Sequence, residues 1–260
     1  MRREPSINAR VVALGGSNLT RGFRTVVATA REAWGADVEV LAALGHGRSY
    51  GSRSTFLVRT LPGILDSGLW VRLEGLPPAP TRALVTDVGN DILYGFSAAQ
   101  TLAWVEEAVD RLQGVTQDIT LTDLPLASIR RLSRAKYLLF RSVIVPRCRL
   151  SLAQVVDASQ RVNEGLSSLA VARRLRFQHM RETWYGVDPI HVRPVRWQPA
   201  WREILLGEAG AEGTAGSGPS WREGWQLYLK PPERQWLLGR ESLHPQRGAT
   251  LQGGGRVSLF

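Results

Sequence analysis

The chain is poor in the residues that build cross-linked or metal-held folds. Its 260 residues contain one cysteine, Cys148. That excludes an internal disulfide framework and any multi-cysteine zinc or iron–sulfur centre. Histidine is scarce too: His46, His179, His191 and His244 are the only four, and no pair has metal-ligand spacing. No metal and no cofactor are therefore expected. Apolar runs are short, and none approaches the roughly 18 residues that a membrane helix requires. Met1-Arg2-Arg3 is followed by polar Glu4-Pro5-Ser6, and the next apolar run, Val11 to Leu14, is too short for a secretion signal. The expectation is a soluble, cytoplasmic protein of a reducing compartment.

Lysine is almost missing. Of 33 basic residues only Lys136 and Lys230 are lysines, and against 23 acidic residues the net charge is +10. Arginine forks suit phosphate, but no basic run or nucleic-acid motif accompanies the charge, so it reads as surface solubility and no nucleic-acid partner is expected. Acidic residues are absent from Arg130 to Arg149, which carries Arg130, Arg131, Arg134, Lys136, Arg141, Arg147 and Arg149. Its apolar members are expected to pack inward and its arginines to face water.

What is present is alternation. Asn8 to Leu14, Val38 to Leu44, Arg82 to Val88 and Ile119 to Leu124 read as buried strands, with a short fifth from Arg176 to Met180. Between them, Leu19 to Trp34, Ala98 to Leu112 and Leu152 to Leu175 repeat apolar residues at helical spacing, and Pro199 to Leu206 reads as a closing helix. Strands separated by helices imply βαβ units and an open, doubly wound parallel sheet. Residues 1–206 are one α/β domain in this reading. Residues 207–220, rich in Gly, Ala, Ser and Glu, form a flexible linker. Residues 221–260 are an aromatic-rich extension, with 249–260 either a hairpin around Gly253-Gly254-Gly255 or a tail; partial disorder is the expectation there.

Ligands of such sheets bind beyond the carboxyl ends of the strands, and the unusual polar residues lie there. Ser17 follows the first strand in Gly15-Gly16-Ser17, and Gly45-His46-Gly47-Arg48 follows the second. Gly89-Asn90-Asp91 follows the third, and Asp188-Pro189-Ile190-His191 comes late. Singly, each is ordinary: a helix cap, a turn, a loop histidine. Together they supply a nucleophile, a base for its proton, a carboxylate to orient the base, and amide donors for an oxyanion.

In order and content these residues resemble the SGNH (GDSL-type) hydrolases. The resemblance spans residues 8–205 and implies a three-layer α/β/α sandwich with a mainly parallel, flavodoxin-like central sheet. It implies that Ser17 is the nucleophile, Asp188 and His191 complete a triad, and Gly47 (or Gly45) and Asn90 donate to the oxyanion. The activity implied is metal-free hydrolysis of a small-molecule carboxylic ester through an acyl-enzyme. Acyl transfer on the same site is the near alternative, and a non-catalytic fold that binds an anionic partner is the distant one. Gly45, His46, Trp184 and Tyr185 are candidate substrate contacts. Three positions depart from the family pattern: Gly16 stands where the aspartate of Gly-Asp-Ser would be, Val88 replaces the first glycine of G-x-N-D, and Arg48 stands where an aspartate is common.

Overall fold

The structure is a computed structural model, which describes residues 7–146, 148–211, 221–246, 248–251 and 254–260. In chain order they form β1 (Ala9–Leu14), α1 (Ser17–Trp34), β2 (Val38–Ala43), β3 (Ser54–Phe56), β4 (Arg59–Leu61), α2 (Leu69–Glu74), β5 (Thr81–Val85), α3 (Asn90–Leu93) and α4 (Ala98–Gln113). There follow β6 (Ile119–Thr122), α5 (Leu126–Arg130), α6 (Arg134–Ile144), α7 (Leu152–Arg173), β7 (Arg176–Gln178), α8 (Trp197–Leu206) and α9 (Glu208–Ala211). The chain ends with α10 (Trp221–Leu229), β8 (Arg234–Leu237), β9 (Arg240–Leu243), β10 (Ala249–Thr250) and β11 (Arg256–Leu259).

Every residue of β1 and β2 is buried, as an apolar strand covered on both faces requires. Seven strands make the main sheet in the order β10-β11-β2-β1-β5-β6-β7. All its pairings are parallel except β10 with β11. Taken alone, β1, β2, β5, β6 and β7 lie in the flavodoxin-like 2-1-3-4-5 order, whose switch point falls between β1 and β5.

Alternate residues of β1 feed two cores. Val11 and Ala13 pack with Phe23 and Val26 of α1 and with Trp201 of α8. Val12 and Leu14 pack with Trp70 of α2, Val105 and Val109 of α4, and Leu166 of α7. Each such side chain contributes about 1.5–3 kcal/mol when fully buried, so both layers are held by ordinary apolar packing. A capping box starts α7: Ser151 accepts from Gln154 N–H at 3.3 Å while Gln154 accepts from Ser151 N–H at 2.8 Å.

The end of the chain joins this body. β11 runs parallel to β2, with Val257 opposite Val40, and Phe260 N–H donates to the Ala42 carbonyl at 2.9 Å. β10 and β11 therefore form an edge of the main sheet, and residues 252 and 253 of the glycine-rich centre lie outside the described residues. Of the segment read as a linker, Glu208–Ala211 is helical, and 212–220 lie outside the described residues. A second sheet, β3-β4-β8-β9, joins the segment after β2 to the segment after α10. No described helix is long and apolar enough to cross a membrane.

Candidate active site

The strand-end residues meet at the β1/β5 switch point. β1 ends at Leu14, and after the Gly15-Gly16 turn Ser17 is the first residue of α1. Ser17 Oγ lies 2.9 Å from His191 Nε2. His191 Nδ1 lies 2.7 Å from Asp188 Oδ2. The two partners of the imidazole thus occupy its two nitrogens, the arrangement that fixes ring orientation. Asp188 Oδ1 also accepts the N–H groups of Ile190 and His191, both at 3.2 Å. Partial burial on its own would raise the Asp188 carboxyl, but the hydrogen bonds from the His191 ring and from these two N–H groups outweigh it. The group titrates below the ordinary carboxylate range. Arg21, one turn along α1 from Ser17, lies 3.7 Å from the same carboxylate.

Two residues that the motifs did not mark hold the serine in place. Asp87, left-handed at φ 58°, accepts from Gly16 N–H and Leu19 N–H, both at 3.0 Å, and from the Asn18 amide at 2.8 Å. One carboxylate therefore binds three donors of the serine turn. Asn18 reaches the histidine loop as well, donating to the Ile190 carbonyl at 2.8 Å and accepting from Val192 N–H at 2.8 Å.

The Asn-Asp pair after β5 fastens the loop after β2. The Asn90 amide donates to the Arg48 carbonyl at 3.1 Å. Asp91 is fully buried and accepts from Ser49 Oγ and from Tyr50 N–H, the latter at 3.0 Å. Burial pushes its carboxyl up to about 6, against the lowering effect of those two donors. Gly47 is left-handed at φ 64°, and a Cβ there would lie 2.7 Å from Tyr94 Oη, which donates to the Gly47 carbonyl at 2.5 Å. Arg48, at the position where the resembled family often has aspartate, is fully buried and donates to the carbonyls of Leu44, Pro62 and Phe260. Burial lowers its guanidinium to about 9, with a smaller push from Arg59.

Two cavities border the site. One of about 120 Å³ is walled by Ser17 and Asn90 at one part and by Leu93, Ile129, Leu132 and Phe140 elsewhere. The other, about 1500 Å³, runs along α1 and touches Gly45, His46, Arg21 and Arg59. The smaller one contains the serine and is the better guide to chemistry. His46 titrates below the usual histidine range because it is partly buried and then because Arg21, His191 and Arg59 face it. Trp184 and Tyr185, expected as pocket walls, border neither cavity. They are buried with Val192 and Trp201 in the α1/α8 core, where they support the loop that carries His191. Cys148 is buried 3.9 Å from Tyr137 Oη. Among the described residues no cluster of three or more His, Cys, Asp or Glu could hold a metal.

No family model and no curated protein matches the sequence. Solved structures do. A psychrotrophic esterase EstA from Pseudoalteromonas sp. is 13% identical, with 76% of this chain and 96% of that chain covered and a TM-score of 0.48. A member of the lipolytic protein G-D-S-L family from Veillonella parvula is 12% identical, with 80% and 100% covered and a TM-score of 0.47. AlinE4, an SGNH-hydrolase family esterase, is 14% identical, with 85% and 91% covered and a TM-score of 0.38. At these identities and scores no residue role passes from them to this chain.

Proposed function

We propose that the protein hydrolyses carboxylic esters through a Ser17 acyl-enzyme. The observation that carries the reading is the continuous relay Ser17 Oγ–His191 Nε2–Nδ1–Asp188 Oδ2, at 2.9 and 2.7 Å. His191 takes the Ser17 proton as Oγ attacks the ester carbonyl, and Asp188 holds the ring and balances the imidazolium. The carbonyl oxygen becomes an oxyanion. Ser17 N–H, at a helix start where N–H groups lack intrahelical partners, Gly47 N–H and the Asn90 amide are the donors assigned to it. His191 then gives its proton to the leaving alkoxide, and water repeats the sequence to release the acid. An alcohol in place of water would make the same site an acyltransferase.

The test is kinetic. Ser17→Ala and His191→Ala should each remove nearly all turnover of p-nitrophenyl acetate, by on the order of 10⁴-fold or more, and the double variant should lose little beyond either single one. Wild-type turnover in Ser17→Ala would end the assignment.

A further inference from the structure

The small sheet ends in two turns that lie side by side. Leu57-Val58 joins β3 to β4, and Leu238-Gly239 joins β8 to β9. β4 and β8 pair antiparallel with Arg59 opposite Leu237, and Leu238 N–H donates to the Val58 carbonyl at 2.9 Å. The turns therefore make one protruding tip.

Leucine is out of place there on two counts. Leu57 and Leu238 sit at φ 55° and 50°, in the left-handed region where glycine or asparagine is favoured. Their side chains are also 79% and 83% exposed. Val58 at 55% and Leu237 at 45% extend the patch. Neither local geometry nor core packing asks for these apolar groups, and exposed apolar residues grouped in this way mark a contact surface.

The surroundings carry an excess of arginine: Arg53, Arg59, Arg234 and Arg240 against Glu233 and Glu241. Glu241 is paired with Arg234 at 2.6 Å. Arg53, just before β3, lies over the Trp236 ring at 4.3 Å, and Arg234 lies 5.0 Å from the same ring. A leucine tip with a tryptophan and arginines behind it matches a bilayer surface in layers. Apolar groups reach the acyl boundary, the indole and guanidinium stems lie at headgroup depth, and positive charge meets lipid phosphate. Phe56, the residue before Leu57, has its ring 5.4 Å from that of His46, so docking would bring the loop after β2 toward the surface.

We propose that this tip docks the protein onto an anionic phospholipid surface. The inference stands apart from the role of Ser17. Its test compares the full chain with the Leu57→Gly/Leu238→Gly variant. Glycine suits both backbone positions, so the variant should fold at least as well, which circular dichroism and the melting midpoint check. Both proteins are co-sedimented with phosphatidylcholine vesicles, with and without phosphatidylglycerol, at low and high salt. The wild type should partition onto the anionic vesicles at low salt. Binding should fall about 10-fold or more on phosphatidylcholine alone, at high salt, and in the double variant. No wild-type binding to anionic vesicles, or equal binding by the double variant, overturns the proposal. So does a wild-type dimer that the double variant converts to monomer while neither protein binds vesicles, because the tip would then serve a second copy of the chain.

Discussion

Gly16, the residue before Ser17, leaves room that Asn90 and Asp87 occupy. A Cβ on Gly16 would lie 2.4 Å from Asn90 Nδ2 and 3.1 Å from Asp87 Cβ, so an aspartate there would have to displace the Asn90 amide. The carboxylate that binds the serine turn comes instead from Asp87, after the neighbouring strand. On the proposed function, Gly16→Asp should therefore lower activity. Crowding of this kind costs about 1–3 kcal/mol, and displacing the Asn90 amide should lower kcat for p-nitrophenyl acetate by about 10-fold or more. Unchanged kcat and melting midpoint in Gly16→Asp would refute the steric account. Asp91 makes a second residue-level prediction, in pH. Its carboxyl is raised to about 6 in the fold by burial, from 3.8, so the folded state holds that proton more tightly than the unfolded chain. Stability from this group is full below about pH 4 and declines as pH rises to about 6, by on the order of 3 kcal/mol at about 1.4 kcal/mol per unit. Asp91→Asn should flatten that part of the denaturation profile. A variant that keeps the wild-type slope between these pH values would show that another group is responsible.

The helices α5 and α6 wall the smaller cavity beside Ser17. Ile129 of α5 and Tyr137 and Phe140 of α6 wall the smaller cavity, while Arg130, Arg131, Arg134 and Lys136 face solvent. Arg131 is paired with Glu182 at 2.6 Å and Arg130 with Gln160 at 2.7 Å. The expected division therefore holds for these arginines and for Phe140, but Leu138 and Leu139 of α6, expected to pack inward, are exposed. A cavity of about 120 Å³ holds roughly four water-sized groups at about 30 Å³ each. Among p-nitrophenyl esters of two to twelve carbons, kcat/KM should peak at about four and drop beyond about six, and Phe140→Ala should move the peak to longer chains. A flat profile, or a peak at the longest chain, would mean that the slot does not receive the acyl group. Legibility at this scale followed length. Helices α1, α4 and α7 were readable from a repeated period and β1 and β2 from continuous apolar runs, while the short β6 and β7 were readable because each follows a helix in the alternating pattern. Three- and four-residue strands such as β3, β4, β8 and β9 carry no such repeat, so neither the small sheet nor its link from Thr60 to Trp236 could be read.

Across the whole molecule, Ser17 and His191 are 174 residues apart in sequence and meet because parallel strands gather their carboxyl ends on one edge. That much of the site was legible from motif order, since Ser17, Asn90 and the Asp188–His191 pair each follow a recognisable strand or bend. The holding residues were not. Asp87 works through its backbone conformation, Asn18 by bridging two loops, and Arg48 by reaching the carbonyl of Phe260, and none of these relations has a spacing to read. Trp184 and Tyr185, read as candidate substrate contacts, are buried in the core between α1 and α8, since large aromatics near a site serve its core as readily as its pocket. The central claim is that His191 activates Ser17 for attack. The most direct test is intact mass spectrometry after incubation with a fluorophosphonate, which forms a stable bond only with an activated serine. The account predicts a single adduct on the wild type, mapped to Ser17, absent in Ser17→Ala and strongly slowed in His191→Ala. An unlabelled wild type, or undiminished labelling in Ser17→Ala, would contradict it.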